Sequence, residues 1–98
     1  MPSLSVVFHP DAVEEAQAAR QWYAERSQSA ADAFLEELDH GIEAVAQTPL
    51  RWPLFKHGTR RYLYHRFPFQ LIYRVASDRI EIVAVAHGRR RPGYWKTR

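Results

Sequence analysis

Arg61, Arg74, His87, Arg89, Arg90, Arg91 and Tyr94 are the side chains of this sequence that could act on a polyanion, and five of these seven fall in "AVAHGRRRPGYW", residues 84–95. Arginine neutralises phosphate and can hold it through two parallel hydrogen bonds. A histidine near its ordinary pKa takes or gives a proton at neutral pH. A tyrosine does so only where neighbouring cations pull its pKa down from about 10. Such a group could cleave RNA without a metal. A base would deprotonate the 2′-hydroxyl, arginines would stabilise the charge developing on phosphorus, and an acid would protonate the leaving oxygen. Basic and aromatic residues at the end of a chain serve equally well as a binding surface, so both readings stand at this point.

Other chemistries lack their residues. The glycines, at 41, 58, 88 and 93, are scattered and form no phosphate-binding loop. No serine sits in a nucleophile elbow. The histidines, at 9, 40, 57, 65 and 87, never fall three or four apart, so no helical metal pair is expected. Cysteine is absent, which removes disulfides and thiolate metal sites and fits a reducing cytoplasm. No cofactor or metal is expected. The basic half offers only Asp78 and Glu81, so paired catalytic carboxylates are not expected there, and the helix carboxylates read as a solvated face. The first twenty residues carry charges without a sustained apolar segment, so no secretory signal is expected. The longest aliphatic run, Ile82 to Ala86, is too short to cross a bilayer, and no membrane partner is expected.

Charge is divided along the chain. Residues 1–49 hold two basic and nine acidic residues, a net of −7, and residues 50–98 hold twelve basic and two acidic ones, a net of +10. An acidic face and a basic face follow, and a basic face concentrates polyanions.

The elements that must position these residues can be read from periodicity. The 98 residues fit one domain, 1–98, with one modest core. Leu4 to Phe8 reads as a short strand. Pro10 and the acidic residues after it start a helix over about 10–27, with Ala12, Ala16, Ala19 and Tyr23 at helical spacing. Ser29 with Asp32 suggests the cap of a second helix, whose apolar stripe is Phe34, Leu35, Leu38, Ile42 and Val45 and which Pro49 stops. Residues 48–59 read as a loop in which Trp52 and Phe55 are packing residues. Strands follow over about 60–66, 69–76 and 79–87. A two-residue turn at Ser77-Asp78 pairs Val75 with Ile80, Tyr73 with Ile82, Leu71 with Ala84 and Phe69 with Ala86 on one face, and Arg74 with Glu81 on the other. Helices should cover the first face. The second face would then show an apolar strip of Ile72, Val83 and Val85, open to a partner or covered by the C-terminal tail. Gly88 would let the chain turn after the last strand, and Pro92-Gly93 would swing Tyr94 and Trp95 back to the sheet, with Trp95 as apolar anchor.

The strand, the helix hairpin with "WY" in its first helix, the "P-x-x-W-P" after its second, "RRYLYHRFPFQLIYRV" and "IEIVAVAHGRRRPGYW" together resemble the RelE/ParE superfamily, from about residue 4 to the C-terminus. These are the toxins of bacterial type II toxin–antitoxin modules, also called plasmid stabilisation proteins. The resemblance implies an α+β fold of order βααβββ, a helix hairpin packed on one face of a small, mainly antiparallel sheet. It implies a toxin silenced by a cognate antitoxin that wraps a partly disordered segment around it, and Ile72, Arg74, Val83 and Val85 are the expected antitoxin contacts. RelE-like members cleave messenger RNA on the ribosome, which would give His87, Tyr94 and Arg61 catalytic roles as a metal-independent endoribonuclease. ParE-like members poison DNA gyrase, which would give Arg89, Arg90, Arg91 and Trp95 a target-binding role. Gly88 stands where a nuclease-type arginine is expected, and "AHGRRRP" reads more like the ParE branch. The rival from another class is a non-toxic nucleic-acid-binding module using the basic C-terminal half, which the aliphatic strand face, poor for base stacking, disfavours.

Overall fold

Proline at its first position and His9 before it start the first helix. In the computed structural model, which describes residues 4–98, His9 is extended and its Nδ1 accepts the Asp11 N–H at 3.1 Å. The first three residues of the expected domain lie outside the described residues. Helix α1 runs Pro10–Ala24 and α2 runs Gln28–Gln47, an antiparallel hairpin with a short connection. The cap of α2 is Ser27, not Ser29. Ser27 has the extended backbone an N-cap needs (φ −164°, ψ 119°), and its hydroxyl accepts the Ala30 N–H at 3.2 Å. Ser29 only shares a hydroxyl–hydroxyl bond with Ser27.

The strands are β1 (Ser5–Phe8), β2 (Arg60–Leu63), β3 (Phe69–Val75) and β4 (Arg79–His87). They form one sheet in the order β1-β4-β3-β2, with β1 parallel to β4 and the other pairs antiparallel. The expected α+β, βααβββ architecture is the observed one.

The β3–β4 register starts as expected, with Val75 opposite Ile80, Arg74 opposite Glu81 and Tyr73 opposite Ile82. It then slips by one residue between Ile72 and Tyr73, so that Ile72 faces Ala84, Leu71 faces Val85 and Phe69 faces His87. A bulge on β4 is the physical cause. Val83 and Ala84 both point to one face, and every later side chain changes sides. Val85 therefore joins the core under the helices, with Leu71, Tyr73, Ile80 and Ile82, while Ala84 and Ala86 move to the opposite face.

The helix-side core is completed by Ala12, Ala19, Phe34, Leu38 and Val45, all buried. Burying side chains such as Phe34 and Leu38 contributes about 1.5–3 kcal/mol each. Tyr23, Phe34, Phe67 and Phe69 interlock there with ring centroids 5.0–5.5 Å apart. The second face is not open. Trp95, 2% exposed, closes over Ile72, Val83, Ala84 and Ala86, with Phe55 and Tyr94 at its margin. Trp52 packs edge-on against Tyr62 and Phe55 lies against Trp95, so both loop aromatics are packing residues.

Candidate functional site

The C-terminal stretch is a built structure. At the end of β4 the Gly88 N–H donates to the Pro68 carbonyl at 2.7 Å, the Arg89 N–H to His87 Nδ1 at 3.0 Å and the Arg90 N–H to the His87 carbonyl at 3.0 Å. These bonds fix the turn. The chain turns at Gly88 as expected, without a left-handed backbone there, whereas Gly93 has a φ of +88°. A Cβ on Gly93 would also lie 2.9 Å from His57 Nε2, so glycine lets the tail pass close to the 56–58 turn. The chain then returns to the sheet through Tyr94 and Trp95, as the Pro92-Gly93 pair leads one to expect.

Glu15 of α1 holds the returning tail. Its carboxylate is 14% exposed and accepts from the Tyr94 hydroxyl at 2.6 Å, the Val85 N–H at 3.0 Å and the Arg98 guanidinium at 2.9 and 3.1 Å. Arg90 approaches the same carboxylate at 3.5 Å and stacks 3.8 Å above the Tyr94 ring. Arg98 also donates to the Val83 carbonyl at 3.2 Å and pairs with Asp11 at 3.5 Å. A buried carboxylate is stable only with such partners, and here one carboxylate joins helix, bulged strand and tail. The sequence reading placed Glu15 on a solvated face. Its position between Ala12 and Ala19, at helical spacing on the buried stripe, was the available signal.

Of the nuclease candidates, Arg61 is parted from His87 by the sheet, while His87 lines the same groove as Glu15, to which Tyr94 bonds. Arg61 faces Ile72 across β2 and β3, so it lies on the Trp95 side, its guanidinium 4.2 Å above the Phe55 ring. His87 faces Phe69 and packs edge-on against it on the helix side. Its Nδ1 is occupied by the Arg89 N–H, which leaves Nε2 as the protonated nitrogen of the neutral ring. Tyr94 is half-buried, and its hydroxyl proton is directed at Glu15. Burial first, and then the hydrogen bond to that carboxylate, push its pKa well above the ordinary value, the reverse of what a tyrosine base needs.

The binding candidates divide as well. Arg89, Arg90 and Arg91 are exposed, and among the described residues Arg89 and Arg91 form no ion pair. Trp95 is buried and presents nothing to a target directly; it anchors the tail that carries the arginines. Arg74 pairs with Glu81 at 3.4 Å, as the register foretold, and reaches the Arg98 carbonyl at 3.5 Å. Ile72 and Val83 are sealed under Trp95, so of the two expectations for this face it is the tail-covered one that holds, and the bulge takes Val85 out of the strip to the helix side. Among the described residues there is no group of three or more His, Cys, Asp or Glu placed to hold a metal, and no helix long and apolar enough to cross a membrane.

A family model described as the ParE toxin of the type II toxin–antitoxin system parDE matches residues 6–92. A solved structure titled as the chromosomal ParDE system from P. aeruginosa superposes with a TM-score of 0.76 at 18% identity, covering 87% of this chain and 96% of that one. No curated protein sequence matches.

Proposed function

Because the chain belongs to the ParE toxin family of type II toxin–antitoxin systems, we propose that it arrests growth by poisoning DNA gyrase and that a cognate antitoxin neutralises it, the whole exchange taking place in the cytoplasm. One observation carries the choice of gyrase over ribosome-dependent RNA cleavage. Arg61 and His87 lie on opposite faces of the sheet, and the Tyr94 proton is committed to Glu15. The arginines after β4, by contrast, stand on a turn fixed by three backbone N–H bonds and by the buried Trp95. That suits binding, in which a rigid basic rim loses little freedom on contact.

In this reading Arg89 and Arg91 meet the target, while Trp95, Tyr94 and Glu15 hold the rim in place. The antitoxin is a small acidic protein from a neighbouring reading frame, and it covers the rim together with Arg74. Contact with Ile72, Val83 or Val85 would require the tail to move. The test is to assay purified protein for inhibition of gyrase supercoiling and for messenger RNA cleavage on ribosomes. Wild type should inhibit supercoiling and leave RNA intact. Arg89→Glu with Arg91→Glu should relieve inhibition, whereas His87→Ala should change it little. RNA cleavage that depends on His87 would overturn the proposal.

A further inference from the structure

The second half of the chain has only two acidic residues, Asp78 and Glu81. Both are taken. Asp78 pairs with Arg79 at 3.0 Å, and Glu81 pairs with Arg79 at 2.8 Å and with Arg74 at 3.4 Å. Charge without a partner gathers on the tail side of the sheet. The Arg61 guanidinium lies 4.2 Å over the Phe55 ring, and Phe55 meets Trp95 with ring centroids 5.7 Å apart. Lys96 follows Trp95, and its N–H donates to the Gly93 carbonyl at 3.1 Å. Lys56 comes from the other side, where a Cβ on Gly93 would lie 3.4 Å from its side chain. Arg61, Lys56 and Lys96 thus stand around one buried indole. Among the described residues none of the three forms an ion pair.

The turn that presents Lys56 is held firmly. The Thr59 side chain is buried, and its hydroxyl donates to the Lys56 carbonyl at 2.6 Å. His57 has a φ of +61°, a left-handed backbone that residues other than glycine seldom adopt. Backbone of this kind persists only where its surroundings impose it, and it collects at functional sites. Here it sets the 56–58 turn against Gly93, so the turn and the tail form one surface.

The make-up of that surface selects its partner. A protein interface has an apolar core poor in lysine, with aromatic anchors at its centre. Here the aromatics lie beneath the charges, because Trp95 is buried and Phe55 sits between Trp95 and the Arg61 guanidinium. Rings covered in this way cannot stack on unpaired bases, as single-strand binding requires. Cations alone suffice for the phosphate backbone of a duplex, where binding is driven by release of counterions.

We infer that this face lies against the backbone of duplex DNA, beside the arginine rim. The inference rests on the gyrase reading above, which supplies the DNA, and adds a second partner to it. With Arg89 and Arg91 on gyrase and Lys56, Arg61 and Lys96 on its DNA, the two weak contacts would reinforce each other. The toxin would then hold gyrase more tightly when gyrase carries DNA.

The experiment measures, by fluorescence anisotropy, binding of the whole protein to a short labelled DNA duplex over a range of salt. Wild type is compared with a Lys56→Gln, Lys96→Gln double variant. Both lysines are exposed, so the melting temperature should hold. The slope of log affinity against log salt should fall by about 2 in the double variant, one phosphate contact for each lysine. Affinity near 0.1 M salt should drop at least ~10-fold. Binding to gyrase alone should be unchanged, and the gain in affinity from adding DNA to gyrase should be lost. Equal duplex affinity and slope in wild type and variant would overturn the inference. So would tighter binding to an RNA duplex of the same sequence, which would assign the face to RNA. Weaker binding of the variant to gyrase without DNA would make the face a protein contact and overturn it as well. Wild type that binds the duplex as stated but leaves supercoiling uninhibited would overturn the gyrase reading and leave the DNA face standing.

Discussion

The tyrosines show how single residues have been drawn into the frame. Tyr73 is buried and its hydroxyl donates to the Pro49 carbonyl, and burial raises its pKa to about 12. Tyr64 donates to the Leu38 carbonyl at 3.0 Å and, like Tyr94, has its pKa raised mainly by burial. In each case the folded protein holds the proton more tightly than the unfolded chain, whose tyrosines titrate near 10. The stability this contributes is fully present below pH 10 and is lost as pH rises through the folded values. The melting temperature should therefore be insensitive to these groups at neutral pH and should fall steeply between pH 10 and about 12. Tyr73→Phe should flatten that fall and lower stability at neutral pH by about 1 kcal/mol, one buried hydrogen bond. Thermal melts against pH check both, and an alkaline limb identical in wild type and variant would refute the assignment.

At the scale of elements, the helix hairpin and the returning tail close opposite faces of one sheet. Leu38, 5% exposed, points from α2 into the helix-side core. Leu38→Asp should cost on the order of 4 kcal/mol by burying an unpaired charge, much of a small domain's total stability, and should abolish a cooperative melt. The tail has a different weak point. Gly93→Ala combines a φ of +88° with a contact against His57, so it should lower stability by about 1–2 kcal/mol and raise solvent access to Trp95 without disturbing the helices. Near- and far-ultraviolet circular dichroism separate the two outcomes. Most of this architecture was legible, because helical stripes, strand alternation and the Arg74–Glu81 pair all repeat a period. The bulge was not. Val83 and Ala84 are both apolar, so nothing in the pattern marks the residue at which the faces exchange. That single slip moved Val85 to the helix side and Ala84 away from it, while Ile72 and Val83 stayed on the face expected of them. Val83 sits under Trp95, so Val83→Glu should destabilise the toxin itself. Glu15 was hidden for a related reason, since a carboxylate's partners come from residues about seventy to eighty positions away, as Val85, Tyr94 and Arg98 do here.

For the molecule as a whole, the division of charge becomes a division of layers. The hairpin carries most of the acidic residues, with Glu14, Glu25, Asp32, Glu36, Asp39 and Glu43 exposed, while the sheet and tail carry most of the arginines. An acidic partner approaching from solution is steered towards the tail and away from the helices. Steering of this kind acts on the association rate and is screened, since the Debye length falls to about 8 Å at physiological ionic strength. If the rim formed by Arg89 and Arg91 is the target contact, association with gyrase should slow several-fold between roughly 0.05 and 0.3 M salt, with dissociation changing much less. Arg89→Glu with Arg91→Glu should slow association at low salt by about tenfold and flatten the dependence on ionic strength, because the charges removed are those that salt screens. The fold should hold, since neither residue has an ion pair to lose among the described residues. Arg90→Glu should behave differently. Arg90 stacks on Tyr94 and faces Glu15, so reversal there places two carboxylates side by side and loosens the tail, lowering the melting temperature as well as the rate. Stopped-flow association at several salt concentrations, with melts of each variant, distinguishes steering from scaffolding. An association rate indifferent to salt and to both charge reversals would place the target contact elsewhere on the molecule.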